Sequence, residues 1–151
     1  MVPLWIVVLI HGITSVLAGG LAVYTWRRRW LTQGAHSAVL LLGGIAVWAF
    51  FAGMELVIPG QGLKVWCGKL SYLGVVATGP AWFLFIIQYC GNHRFLKPGV
   101  RIGIWIIPAI TVIGAFTNDF HGMFWPEISP ATPHILRYAH GPLFYLNIVF
   151  T

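Results

Sequence analysis

The sequence predicts an all-α polytopic membrane protein, built as a bundle of membrane-spanning helices. Of its 151 residues, 58% are hydrophobic and 8% are charged, and the mean hydropathy is +0.82. An average soluble domain carries roughly 25% charged residues, so this chain has too little polar surface to cover a water-soluble fold. Its apolar residues also fall in runs of about 20, the length of helix that crosses a bilayer.

Four apolar runs predict complete spans, and a fifth run is shorter. The first run carries no charge apart from the titratable His11, the second contains the acid Glu55, and the third is uncharged for 21 residues. The fifth run starts at Leu143 and reaches the last residue, Thr151, after about 14 Å of helix, so we expect the chain to end inside that helix. The predicted spans cover residues 3–26, 38–58, 70–90, 101–117 and 143 onward.

Loop charges predict that the N-terminus lies outside the cytoplasm. The connections after the first and third spans carry six basic residues and no acid, whereas the opposite side carries three basic residues and all three acids. Cytoplasmic loops are enriched in Lys and Arg. We therefore attribute the net charge of +6 to these loops, and we expect a lipid bilayer, not nucleic acid, as the partner.

The predicted domain is a single membrane unit over residues 1–151, with one long outer loop at 118–141. That loop contains Pro126, Pro130 and Pro133. Because each proline removes a backbone donor and obstructs the preceding turn, the loop cannot form one regular helix. We expect it to lie over the outer mouth of the bundle.

Five residues form a hypothetical ligand pocket in the predicted outer half. Among them, Glu55 is an acid inside an apolar run, and an ionisable group there indicates function by default. The alternatives are that Glu55 reaches headgroup water or forms an interfacial ion pair with Lys69. The pocket residues are His11, Glu55, Tyr72, Asn118 and His121.

Two prolines near mid-bilayer, Pro80 and Pro108, are candidate hinges, because a proline frees a backbone carbonyl and kinks its helix. Static packing is the alternative. The two cysteines, Cys67 and Cys90, are 23 residues apart, about 35 Å along one helix, so no intramolecular disulfide is expected. The sequence has no catalytic motif and no metal-ligand spacing, so we expect no catalytic residue, no metal and no cofactor.

Six segments of the chain occur in a characteristic order, at residues 72–74, 79–85, 88–91, 106–111, 117–125 and 138–145. The most specific parts are the group of Asn118, His121 and Trp125 and the run from His140 to Pro142. This order resembles the N-terminal seven-helix membrane region of bacterial and archaeal sensor histidine kinases, some of whose relatives carry a cyclase output. The resemblance covers nearly the whole chain and about four and a half of the seven helices.

The resemblance implies a sensory input domain in the inner membrane of a prokaryote, as part of a two-component system. Such domains detect an extracytoplasmic or membrane-borne ligand, here an unknown small or lipid-like molecule, and pass a conformational signal inward. They usually work as homodimers. The kinase or cyclase activity would belong to a full-length parent protein, so this chain is not expected to be an enzyme. A fragment of a small transporter or channel, and an assembly subunit of a membrane complex, remain the alternatives.

Overall fold

The computed structural model describes residues 3–31, 33–91, 94, 96–132 and 134–150. Among these residues, four helical stretches are long and apolar enough to cross a membrane, which confirms the predicted all-α polytopic fold. Three of them are single helices, α1 (Leu4–Arg27), α2 (Ala35–Val57) and α3 (Gln61–Tyr89). The fourth stretch, Pro98–Phe116, consists of α4 (Pro98–Gly103) and α5 (Ile106–Phe116).

The connection after α5 folds into short elements. It contains α6 (Asn118–His121) and a two-stranded antiparallel sheet of β1 (Ile128–Pro130) and β2 (Leu136–Tyr138), and it leads into α7 (Pro142–Phe150). As predicted, the connection is not one regular helix; of its three prolines, Pro133 lies outside the described residues. We call residues 117–132 together with 134–141 the clamp segment.

The spanning helices form an antiparallel row in chain order. α2 packs between α1 and α3, and α5 packs between α3 and α7. One end of the row, where α2 ends and α3 begins, lies under the clamp segment, and we call it the clamp end. At the other end, α1 and α3 end and α2 begins. We call it the arginine end, because Arg27 ends α1 there and is followed by Arg28 and Arg29.

α2 and α3 cross with their backbones in contact at two glycines. A Cβ atom placed on Gly74 would overlap the carbonyl oxygen of Gly44 and would lie 2.6 Å from the backbone nitrogen of Trp48. Small residues permit such close approach between membrane helices. The crossing fixes the middle of α3 against α2, so the two ends of this helix pair are positioned relative to one another.

α3 begins nine residues before the predicted start of its span, at Gln61 rather than residue 70. The predicted boundary rests on Lys64 and Lys69, whose charges favour a loop. In the structure both lysines lie on the first turns of α3, and they are 4% and 2% exposed because the clamp segment covers them. Residues 59–69, which separate the predicted second and third spans, are therefore largely helical, and the connection from α2 to α3 consists of residues 58–60.

The fourth span is interrupted between α4 and α5, at Ile104 and Trp105. In an unbroken α-helix the carbonyl of Ile104 would accept a hydrogen bond from residue 108, but Pro108 has no N–H to donate. The regular bonding resumes from the N–H of Ala109 to the carbonyl of Trp105, at 2.9 Å. Pro80, by contrast, lies inside a continuous α3. Hinge motion at either proline stays a prediction.

Candidate functional site

Asn118, the first residue of α6, organises the clamp segment. Its Oδ1 accepts hydrogen bonds from the backbone N–H groups of Phe124 (3.0 Å) and Trp125 (2.8 Å), and its Nδ2 donates to the carbonyl of Trp125 (2.9 Å). The side chain is 6% exposed. Because buried backbone groups need partners, this one amide fixes the turn after α6 and places Trp125 against the helices.

Lys64 joins the end of α2, the start of α3 and the loop of the β-hairpin. Its Nζ donates hydrogen bonds to the carbonyl oxygens of Glu55 (2.6 Å) and His134 (2.9 Å). The Glu55 carbonyl lies in the last turn of α2, and the residue four positions later is Pro59, which has no N–H to offer it. The ammonium group therefore donates hydrogen bonds both to a carbonyl in the last turn of α2 and to a carbonyl in the hairpin loop.

A second buried lysine of α3 binds the clamp segment through an acid. The Nζ of Lys69 lies 2.7 Å from Oδ2 of Asp119 and 3.4 Å from the carbonyl oxygen of Phe116. The side chain of Lys69 is 2% exposed, whereas that of Asp119 is 66% exposed. The ion pair between Lys69 and Glu55, offered as an alternative from the sequence, is wrong, because α6 brings Asp119 to this lysine instead.

The side chain of Glu55 faces the β-hairpin. The hydroxyl of Tyr138 donates a hydrogen bond to its Oε1 at 2.8 Å. Gly68 leaves room for this contact, because a Cβ atom there would lie 2.9 Å from the Tyr138 hydroxyl oxygen. Burial raises the pKa of Tyr138 well above its usual range, and the charge of Glu55 and the hydrogen bond to it raise that pKa further. The phenol therefore stays protonated and remains a donor.

Aromatic rings of α3 and of the clamp segment pack against one another next to Tyr138. The ring centroid of Tyr72 lies 5.0 Å from that of Phe124 and 5.4 Å from that of Trp125, which in turn lies 4.8 Å from Tyr138. Both Tyr72 contacts are edge-to-face, a favoured geometry for aromatic pairs. We define the clamp cluster as Glu55, Lys64, Tyr72, Trp125 and Tyr138.

A comparison with known protein families matches residues 10–151 to the N-terminal 7TM region of histidine kinase. The chain belongs to this family. The match includes the whole clamp segment and every residue of the clamp cluster, and it confirms the resemblance seen in the sequence. No curated protein and no solved structure matches the chain.

Membership of this family makes the chain a membrane sensory region of histidine-kinase type, and the four spanning stretches make it a multi-pass membrane protein. The 7TM region of histidine kinases is not itself catalytic. In the part of the chain that the structure describes, no group of three His, Cys, Asp or Glu side chains could hold a metal ion. The clamp cluster of this sensory region contains an ammonium, a carboxyl group, two phenols and an indole. These groups can donate or accept hydrogen bonds with one another or with a ligand.

The structure brings two of the five predicted pocket residues of this sensory region into the clamp cluster. Glu55 and Tyr72 are connected through Tyr138 and Trp125. Asn118 lies beside them and acts on the cluster by positioning Trp125. Ligand binding by these residues stays a prediction.

The two predicted histidines lie apart from the clamp cluster. His121 is exposed, and its Nδ1 accepts a hydrogen bond from the N–H of Met123 at 2.9 Å, which completes the turn after α6. The Nδ1 of His11 donates to the carbonyl of Val7 at 2.8 Å, and the ring packs towards α2, where a Cβ atom on Gly53 would lie 3.0 Å from the Cβ of His11. His11 is therefore a contact between α1 and α2.

Lys64, Trp125 and Tyr138 belong to the site, although the sequence prediction does not place them in the pocket. A usable signal exists for Lys64, because it starts a set of residues at the spacing of one helix face. That set is Lys64, Cys67, Gly68, Ser71 and Tyr72, all buried or half-buried. Tyr138 offers no such signal, because β2 has three residues and Glu55 is 83 positions away.

Proposed function

We propose that this chain is the sensory input domain of a signal-transduction protein of histidine-kinase type. In this proposal a stimulus from outside the cytoplasm, or from within the membrane, acts on the clamp cluster. The resulting change passes along α3 and α5 to the arginine end, which faces the cytoplasm. The observation that carries the proposal is Lys64, one buried side chain that bonds α2 and the hairpin loop from a position on α3.

The clamp cluster is suited to switching because its bonds are few and specific. A ligand that competes for the Lys64 ammonium or for the hydrogen bond between Tyr138 and Glu55 would release the hairpin from α2 and α3. To move a two-state equilibrium from 1:99 to 99:1, a stimulus must favour one state by about 5.5 kcal/mol. Two or three charge-assisted hydrogen bonds, each contributing about 1.5–3 kcal/mol, are of that size.

Transmission of the conformational change to the arginine end requires a rigid helix that can tilt and a flexible point in the neighbouring span. The contact between Gly44 and Gly74 fixes the middle of α3 on α2, so a shift at Lys64 would tilt α3 about that point. The interruption at Ile104 and Trp105 would give the neighbouring span a joint near the arginine end. Sensor kinases usually act as dimers, and we expect the same of the protein in the bilayer.

The test uses Cys90, which is exposed at the end of α3, whereas Cys67 is buried. Lys64 and Cys90 are 26 residues apart, about 39 Å along the helix. We expect Lys64→Met, in the full chain in lipid nanodiscs, to shift the emission of a bimane label on Cys90. Arg137→Gln is the matched control, because it removes an exposed positive charge from β2 of the same hairpin.

The proposal requires that the clamp end and the arginine end are coupled. If Lys64→Met raises hydrogen exchange in residues 128–138 but leaves the label on Cys90 unchanged, the clamp end is not coupled to the arginine end. Tyr138→Phe deletes the hydrogen bond to Glu55 and keeps the ring, and it repeats the test should Lys64→Met fail to fold. An unchanged label with both variants, or an equal shift with Arg137→Gln, would remove the sensory mechanism.

Orientation has its own test with the same cysteine. A membrane-impermeant maleimide added to intact cells is expected to leave Cys90 unlabelled, and to label it after permeabilisation. Labelling of Cys90 in intact cells would place the arginine end outside and reverse the proposed direction of signalling.

A further inference from the structure

Among the residues that the structure describes, the arginine end has no acidic partner. The three acidic residues of the sequence are Glu55, Asp119 and Glu127, of which the first lies at the end of α2 and the other two in the clamp segment. Arg27, Arg28 and Arg29 therefore lie at the opposite end of the row from every side-chain carboxylate. None of these three carboxylates can therefore serve as a counter-ion at the arginine end.

The guanidinium groups of Arg28 and Arg29 are engaged to different degrees. Arg29 donates from Nη1 to the carbonyl of Trp26 at 3.0 Å, and its Cζ lies 4.0 Å and 4.7 Å from the ring centroids of Trp26 and Trp30. The Cζ of Arg28 lies 5.1 Å from the centroid of the Tyr24 ring, and within the described part of the chain its guanidinium makes no hydrogen bond. Arg28 is thus the arginine of this pair that is poised to take an anion.

A cavity of about 350 Å³ opens beside Arg28 between the ends of α1, α2 and α3. Its walls include Tyr24, Arg28, Gln33, Ala38, Phe85 and Tyr89. The hydrogen bond from the hydroxyl of Ser37 to Oε1 of Gln88, at 3.0 Å, joins α2 to α3 beside it. Donors from Arg28 and Gln33 and apolar surface from Ala38 and Phe85 therefore line one space, which suits an amphipathic occupant.

We propose that this cavity binds the phosphate group of an anionic phospholipid, with the Arg28 guanidinium as its principal partner. The planar N–H edge of arginine matches phosphate oxygens in a two-point hydrogen bond. Basic pockets between spanning helices are suited to lipid headgroups. Trp30 and Tyr89 are 79% and 68% exposed nearby, and exposed Trp and Tyr side chains favour the level of the headgroups. The lipid would cross-link the three helix ends.

The test measures thermal unfolding of the purified full chain in neutral detergent micelles. Phosphatidylglycerol, phosphatidylcholine and inorganic phosphate are titrated separately. We expect phosphatidylglycerol to raise Tm, because a ligand that binds the folded state stabilises it, and we expect phosphatidylcholine and inorganic phosphate to have little effect. Arg28→Gln should raise the phosphatidylglycerol concentration for half-maximal stabilisation by about tenfold or more.

Arg27→Gln is the matched control, since it removes the same charge from the neighbouring position outside the cavity walls. We expect a change of less than about threefold, as for an exposed charge. Equal losses with both variants would mean diffuse attraction and would overturn the site. Stabilisation by inorganic phosphate at matched concentration would show a free-anion site and overturn the lipid assignment. Arg28→Lys, which keeps the charge and loses the planar edge, should fall between wild type and Arg28→Gln if the site is as proposed.

Discussion

The two ends of the helix row differ in how their positively charged side chains are held. At the clamp end, Lys64 and Lys69 are 4% and 2% exposed, and each is bound by named oxygen atoms of α2, α5 or the clamp segment. At the arginine end, Arg29 stacks on the indoles of Trp26 and Trp30, which are 47% and 79% exposed. The lysines at one end therefore depend on particular oxygen partners, whereas Arg29 at the other end depends on contact with exposed aromatic rings.

This difference follows from the cost of desolvation. A buried ammonium loses its hydration and must recover it from positioned acceptors, so loss of one partner leaves a charge uncompensated. An exposed guanidinium keeps most of its hydration and contributes modestly. The stability of the clamp end should therefore be sensitive to single substitutions and to ligands that compete for its bonds. In detergent without anionic lipid, substitution of the arginines at the other end should change stability less. The proposed function requires such a division, because it places the stimulus at the clamp end.

The largest expected effect comes from removing the amide that organises the clamp segment. Asn118→Ala leaves two backbone N–H groups and one carbonyl without their partner in a buried turn. We expect the free energy of unfolding to fall by about 3 kcal/mol, because each unsatisfied buried group costs about 1–3 kcal/mol. Unfolding in mixed micelles, followed by helical circular dichroism, measures this change.

Gln88→Ala is the corresponding change at the arginine end. It removes the acceptor of the Ser37 hydroxyl, a bond between two side chains, and should cost about 1 kcal/mol. The comparison between the ends fails if Gln88→Ala destabilises the chain as much as Asn118→Ala does.

An intermediate effect is expected from Tyr138→Phe, which deletes the hydrogen bond to Glu55 and keeps the ring that packs on Trp125. We expect a loss of about 1–2 kcal/mol at pH 8. The folded protein raises the pKa of Tyr138 above its ordinary value of 10.0, mainly through burial. Its stabilising contribution is therefore complete below pH 10 and is lost as the pH rises above that value, because the unfolded chain ionises first.

The pH dependence of Tm tests this prediction. Tm of wild type and of Tyr138→Phe should differ most at pH 8 and should converge as the pH approaches 11, since the variant has no phenol at this position to ionise. Other tyrosines titrate in both proteins and cancel in the difference. A constant gap from pH 8 to pH 11 would contradict a buried, Glu55-bonded Tyr138.

The same contrast explains which features the sequence could predict. Hydropathy and loop charges predict the spans because a bilayer demands long apolar runs whatever their neighbours are. Charge alone misplaces the start of α3, because Lys64 and Lys69 are neutralised by tertiary partners that no local pattern contains. Asn118 is predicted as a site residue, yet its role in fixing the turn depends on Trp125 seven positions later. Tyr138 and Glu55 meet only through the folding of β2 over α2.

The smallest expected effect lies at the arginine end itself. Arg29→Gln removes two cation–π contacts, with centroids at 4.0 Å and 4.7 Å, and one hydrogen bond to the carbonyl of Trp26. Cation–π contacts at accessible sites contribute about 0.5–1 kcal/mol each. One guanidinium shares its surface between the two rings, so we take the lower figure for each contact and expect a loss of about 1 kcal/mol in detergent without anionic lipid. Arg27→Gln provides the baseline for an exposed charge at this end. If Arg29→Gln instead approaches the loss of Asn118→Ala, the stacked arginine is a structural element as specific as the clamp, and the arginine end is not the tolerant half of the molecule.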